Sequence, residues 1–174
     1  MIDLKSSIRD VPDFPKAGIV FKDITTLLKD AAAFKKAIEE LCNPYYKQQI
    51  DLVIGIESRG FIFGSAMAEK LGAGFVPVRK PGKLPAETEK ESYSLEYGED
   101  AVEIHTDAIQ QGARVLIVDD LLATGGTAAA AMRLVERLGG NVIGAAFLIE
   151  LAFLHGRDKV GDVPLHVLIS YDSE

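Results

Sequence analysis

Apolar positions along the chain change their period repeatedly, and the changes mark an alternation of strand-like and helix-like segments. Leu52-Val53-Ile54-Gly55-Ile56 is an unbroken apolar run, as a strand covered on both faces carries. Phe75 to Val78, Val115 to Val118, Val142 to Ile149 and His166 to Ile169 predict further strands. Between these runs the period becomes helical. Phe34, Ile38 and Leu41 share one face of a segment that Asp30 can cap. The stretch after Arg59 reads as helix to Leu71, with Gly72 as its terminating residue. Ala131, Leu134, Val135 and Leu138 form a stripe on a helix starting at about Thr127 and closed by Gly139-Gly140. Such alternation predicts one α/β domain over residues 1–174, a mostly parallel twisted sheet flanked by helices. No internal repeat or interdomain linker interrupts it.

The interval Lys80 to Thr106 breaks the rhythm. It opens Lys80-Pro81-Gly82-Lys83-Leu84-Pro85 and stays polar through Glu91. Tyr93, Leu95 and Tyr97 then alternate with Ser94 and Glu96, and Val102 and Ile104 alternate again after Gly98-Glu99-Asp100. This predicts a two-stranded excursion with Glu96 facing away from the three apolar side chains. A long polar insertion in a small domain points to a mobile active-site loop.

Composition narrows the function classes. An apolar fraction of 48% and a charged fraction of 26% are ordinary for a soluble domain of 174 residues, which is long enough to bury a core unaided. The net charge of −7 argues against nucleic acid as a partner, although a local basic cluster for a small anion is compatible with it. Cys42 is the single cysteine, so an internal disulfide is excluded, and it is expected in the core at a helix end. His105, His155 and His166 lack metal-ligand spacing and read as structural. With no cationic apolar leader and no apolar run of ~18 residues, a cytoplasmic protein without a membrane span is expected.

The chemistry concentrates in residues 114–127. Arg114-Val115-Leu116-Ile117-Val118 ends in Asp119-Asp120, and the following turn runs Ala123-Thr124-Gly125-Gly126-Thr127 into a helix. Ligands of open α/β sheets sit beyond the carboxyl ends of strands, where these acids fall. Both carboxylates can reach one ligand only if the strand is already turning into a loop there. They would then accept charge-assisted hydrogen bonds from vicinal hydroxyls. The Gly/Thr turn offers unpaired amides at a helix N-terminus, a cradle for phosphate. No lysine follows the second glycine as in a Walker loop, and Gly72-Ala73-Gly74 lacks the third glycine of a dinucleotide fingerprint.

This motif, an apolar run, two acids and Ala-Thr-Gly-Gly-Thr, resembles the phosphoribosyl-diphosphate site of type I phosphoribosyltransferases. Phe14 to Ile24, Gly55 to Phe61, Arg79 to Pro85 and Tyr93 to Gly98 resemble, in order, segments of the adenine-specific family within it. The resemblance implies an N-terminal base-binding hood over residues 1–29 and a flexible loop over 80–106. It implies formation of AMP and diphosphate from adenine and 5-phosphoribosyl 1-diphosphate in purine salvage. Mg²⁺ would be held mainly by substrate and water, with no protein metal cage. A homodimer is implied as well, with part of the basic contribution from Arg79, Lys80 and Lys83 crossing its interface.

Residue roles follow from the same resemblance. Asp119 and Asp120 would hold the ribose hydroxyls and favour an oxocarbenium-like sugar, while Arg59 and the Glu57-Ser58 amides face the diphosphate. The Glu57–Ser58 peptide is expected to be cis. Phe21 would stack on the purine, with backbone groups of Val20 and Lys22 reading its edge. Some family members carry arginine at the position of Lys22. Ile149 and Leu151 would form the apolar far wall. Glu96 resembles the acid/base residue, and Tyr97 beside it is counted among the substrate contacts. A 6-oxo-purine transferase and a non-catalytic regulator that senses phosphoribosyl diphosphate are the competing readings. The absence of Lys or Arg between Leu148 and Gly156 disfavours the first, and the lack of a basic helix-turn-helix segment before Phe14 disfavours the second.

Overall fold

Each apolar run becomes a strand because helices or a hairpin cover both of its faces. The computed structural model describes residues 2–95 and 98–173. A hairpin of β1 (Arg9–Pro12) and β2 (Val20–Asp23) leads into α1 (Thr25–Lys29) and α2 (Ala31–Cys42). Next come β3 (Leu52–Ile56), α3 (Gly60–Leu71) and β4 (Gly74–Val78). β5 (Thr88–Ser94) and β6 (Glu99–His105) form an antiparallel pair. β7 (Arg114–Leu122), α4 (Gly126–Arg137), β8 (Asn141–Leu151), α5 (Arg157–Val160) and β9 (Leu165–Tyr171) complete the chain. The central sheet has the order β4-β3-β7-β8-β9, and every neighbouring pair in it is parallel.

Two apolar layers flank this sheet. Val53, Leu116, Val118, Ala146 and Leu148 turn to α2 and α3, packing on Leu41, Phe63 and Met67. Ile54, Val115, Ile117, Ala145 and Phe147 turn the other way, to α4. The small side chains Ala128, Ala130 and Ala131 let that helix lie close to the sheet. The stripe read from the sequence is the buried face, with Leu134 and Val135 inaccessible.

The helix ends follow local chemistry. Asp30 caps α2 by accepting the N–H groups of Ala32 and Ala33 at 2.9 and 3.0 Å. Gly72 ends α3 with φ of 67°, a left-handed conformation that costs glycine little. Cys42 is fully buried, and burial pushes its thiol up to about 11. His105 and His166 both have structural bonds, His105 Nε2 accepting from the Ala86 N–H and His166 Nε2 lying 2.9 Å from the Glu40 carbonyl.

The hood is seated on the sheet edge. Leu4, Ile24 and Leu27 are buried with α2 and α3, and Lys5 Nζ donates to the Ser170 carbonyl at 3.1 Å. The β5–β6 excursion begins at Thr88, earlier than the aromatic alternation suggests. Its base belongs to the core, since Val102 and Ile104 are buried beneath α4. Arg133 and Arg137 of α4 grip Glu91 of β5. Leu95 departs from the expected apolar stripe, being exposed just past the end of β5. Among the described residues, no helix is long and apolar enough to cross a membrane.

Removing the cap of α2 should cost stability without touching the sheet. Asp30→Ala is expected to lose about 1 kcal/mol. In a chain of this size that lowers Tm by about 2–4 °C, readable by calorimetry.

Candidate active site

Loops at the carboxyl ends of β3, β4, β7 and β8 gather at one edge of the sheet, with the hood beside them. β7 does not turn into a loop at its acids. It continues as strand through Leu122, with Asp119 opposite Phe147 and Leu122 opposite Glu150. Strand alternation therefore still governs the pair and divides it between two halves of the site.

Asp119 lines the cradle half. A concavity of about 70 Å³ is enclosed by Asp119, Leu121 and residues 122–128. Gly125 has φ of 79° and directly precedes α4, whose first turn has no side-chain cap. The first turn thus presents amide N–H groups to an anion rather than to its own chain. Thr124 is exposed, Thr127 half-buried and Ala123 half-buried at the rim. The Tyr93 ring lies on Gly126, closing one side.

Burial, reinforced by the neighbouring Asp120 charge, pushes the Asp119 carboxyl well above its ordinary range. The Asp120 N–H donates to Asp119 Oδ1 at 2.8 Å, which offsets only part of that cost.

Asp120 belongs to the hood half. It is 6% exposed, and its Oδ2 accepts from Arg59 Nε at 2.5 Å. The Arg59 guanidinium lies 5.6 Å from the centre of the Phe21 ring, which meets Phe14 edge-on at 5.2 Å. Burial works against the Arg59 charge, but the Asp120 carboxylate outweighs it and raises the guanidinium pKa. Arg59 is thus committed to Asp120. The Glu57–Ser58 peptide before it is cis, as is Phe14–Pro15, which the sequence reading did not anticipate.

The basic residues after β4 are less available than their sequence suggests. Arg79 reaches both oxygens of Glu57 at 3.3 Å, and the Lys80 N–H donates to the same carboxylate at 2.8 Å. Burial opposes the Glu57 charge, yet these donors prevail and lower its pKa. Lys80 Nζ is bound by Asp100 and by the Tyr93 hydroxyl. Among the described residues, Lys83 is exposed and in no ion pair.

On β2, Val20, Phe21 and Lys22 are half-buried in line. Lys22 Nζ is turned from the site, 2.9 Å from Asp10 and 4.2 Å from the Tyr171 ring centre. The far wall needs correction. Ile149 is 1% exposed, sealed between sheet and helices, because β8 extends to Leu151. Only Leu151 offers surface. Glu96 and Tyr97 lie outside the described residues.

Sequence reasoning missed the Glu150–Arg157 pair beside the cradle, bidentate at 2.6 and 2.7 Å, and the Asp100–Tyr93 partners of Lys80. Only an acid inside an apolar strand hinted at the first. Among the described residues, no three or more His, Cys, Asp or Glu side chains form a metal cage. Asp119 is in no ion pair among the described residues, whereas Asp120 is paired with Arg59.

Residues 23–164 match the phosphoribosyl transferase domain model. The adenine phosphoribosyltransferase of Koribacter versatilis is 56% identical over 97% of this chain and 93% of its own length. The crystal structure of that enzyme from Rhodothermus marinus is 57% identical, covers 97% and 96% of the two chains and superposes with a TM-score of 0.92. The chain belongs to the adenine phosphoribosyltransferase family. Within this family the Saccharomyces cerevisiae enzyme, 46% identical over 95% and 96% of the two chains with a TM-score of 0.89, was crystallised with an imino-altritol bisphosphate and adenine. The five-stranded sheet, hood and two-stranded excursion are the shared architecture of this phosphoribosyltransferase and its relatives.

The raised Asp119 pKa carries a stability cost of definite sign. The folded protein holds that proton more tightly than the unfolded chain, so stability falls as pH rises from about 3.8 through the raised value. Asp119→Asn removes this loss. The unliganded variant should melt above wild type near neutral pH, read by calorimetry as a function of pH. The gap should close toward acid pH; a variant melting lower at neutrality contradicts the assignment.

Proposed function

We propose that this chain transfers the phosphoribosyl group of 5-phosphoribosyl 1-diphosphate to a ring nitrogen of adenine, giving AMP and diphosphate for purine salvage. The observation carrying this reading is the uncapped amide cradle at the head of α4 with Asp119 on its wall, in a chain of this family. The cradle holds the sugar phosphate. Asp119 accepts ribose hydroxyls from the cradle side, while Asp120, on the other side of the strand and held by Arg59, acts through its field, and both charges favour the positive charge that grows on the sugar as the C1–oxygen bond loosens. Asp119 must lose its proton to do so, and a cationic sugar beside it favours that loss.

Arg59 and Lys83 face the departing diphosphate. The donor's anionic oxygens compete with Asp120 for Arg59 and with Asp100 and Glu57 for Lys80 and Arg79, so binding rearranges pairs formed without it. Mg²⁺, when bound with the donor, neutralises diphosphate charge through hard oxygens.

Phe21 stacks on the base. Pro12, opposite Val20, has no N–H to donate, which suits a register where Val11 and Phe21 exchange bonds. Val20 and Lys22 then turn their N–H and C=O groups to the open edge of β2, where a carbonyl accepts the adenine amine and an N–H meets its ring nitrogen. A 6-oxo purine mismatches that edge. Arg157, the first cation after β8, is engaged by Glu150 and does not supply the donor a 6-oxo purine needs. Leu151 closes the far side. Glu96 acts as the acid/base group toward the purine imidazole nitrogens, and Tyr97 beside it contacts the substrate. A cytoplasmic homodimer is part of this reading, with Ile62 and Phe75 offering exposed apolar surface for self-association.

Incubation with phosphoribosyl diphosphate, Mg²⁺ and each purine tests the reading. AMP from adenine alone is expected, and chelation should abolish turnover. IMP, GMP or XMP without AMP would transfer the chain to the 6-oxo-purine reading, and binding without product to the regulator reading. Asp119→Asn should lower kcat/KM by about 10–150-fold, the worth of one charge-assisted hydrogen bond of roughly 1.5–3 kcal/mol. An unchanged rate retires its role.

A further inference from the structure

Glu150 is the most deeply buried carboxylate among the described residues, 4% exposed near the end of β8, where an apolar side chain would be cheaper. Its oxygens are taken by Arg157 Nε and Nη2 at 2.6 and 2.7 Å, a bidentate pair across seven residues of chain. The Arg157 side chain is 53% exposed, so the pair sits at the boundary of the core. Between its members the chain leaves β8, turns through Ala152–Leu154 and His155, which has a left-handed φ of 54°, and reaches Gly156.

Gly156 lies on the phosphate cradle with no space between them. A methyl group built on Gly156 would stand 2.3 Å from the Ala123 carbonyl oxygen and 3.1 Å from the Gly125 nitrogen. One built on Gly125 would stand 2.2 Å from the Gly156 carbonyl. Two backbones are pressed together where the cradle needs its shape. Strand register strengthens the link, because Glu150 pairs with Leu122, the residue just before the cradle. The pair therefore fixes the return segment at both ends of the contact, through Leu122 below and Gly156 above.

We propose that Glu150 and Arg157 are positioning residues for the phosphoribosyl donor: their ion pair clamps Gly156 against Ala123 and Gly125 and so holds the cradle amides on the sugar phosphate. The inference rests on the transferase reading above. It locates the effect in donor binding, since Gly156 bears on Ala123 and Gly125 of the cradle, whereas Leu151 on the base side is held by its own strand pairing with Tyr171 of β9. Adenine recognition should be untouched.

Steady-state kinetics of Glu150→Gln and of the double variant Glu150→Gln/Arg157→Gln test it. The double variant leaves no unpaired buried charge, so it folds even if the single one does not. The expected result is a KM for phosphoribosyl diphosphate raised by roughly 10–100-fold, the scale of a displaced binding group. KM for adenine and kcat should stay within about twofold of wild type on the same scale. Gly156→Ala, which keeps the ion pair but pushes on Ala123, should raise the same KM and spare the other. An unchanged donor KM in the double variant overturns the proposal, as does a parallel loss in kcat and both KM values. Wild-type protein that forms no AMP would instead defeat the transferase reading, so the two failures are distinguishable.

Discussion

Adjacent carboxylates at the end of a parallel strand, Asp119 half-buried and Asp120 buried, are the constraint on which this molecule turns. β7 runs through the middle of the sheet, covered on both faces, and carries Asp119 and Asp120 without leaving strand geometry. Adjacent like charges in such a place repel and lose hydration, which the fold answers differently on each side. Asp120 receives the Arg59 guanidinium, whereas Asp119 receives only an amide and is driven toward its neutral form. The arrangement is poor for stability and suited to a ligand bearing hydroxyls and growing positive charge.

The rest of the edge is organised around that pair. The hood brings Phe21 to within reach of Arg59, so the cation that neutralises Asp120 also borders the aromatic surface offered to a base. On the other side α4 aims its uncapped first turn at the space beside Asp119. Carboxylate, uncapped amides and aromatic ring thus lie together at the sheet edge, the chemistry that the proposed sugar, phosphate and base would need. The basic residues of the β4–β5 connection complete the site while engaged with Glu57 and Asp100. A net acidic chain holds these cations in ion pairs and without a standing positive patch, which agrees with the proposed exchange of partners on donor binding.

Glycines and buried polar groups serve the same end. Gly125 and Gly156 permit a backbone contact that no side chain would fit, and Glu150 with Arg157 ties that contact to the core. β5 is likewise bound to α4 by Arg133 and Arg137, and Tyr93 rests on the head of the helix that forms the cradle. The excursion and the cradle therefore share one support.

The sequence alone was sufficient for what depends on local periodicity and local caps. The strand at Leu52–Ile56, the Asp30 cap, the Gly72 terminus and the stripe of α4 are each written in residues close together, where side-chain period and backbone preference act directly. The acids and the Gly/Thr turn were legible for the same reason. Tertiary structure alone decided which charges meet. Nothing in spacing states that Arg59 faces Asp120 across 61 residues, that Lys80 joins Asp100 and Tyr93, or that Ile149 is sealed while Leu151 is not. Ion pairs and burial depend on which surfaces packing brings together, and a long cation beside several carboxylates has no preferred partner until the sheet places one within reach.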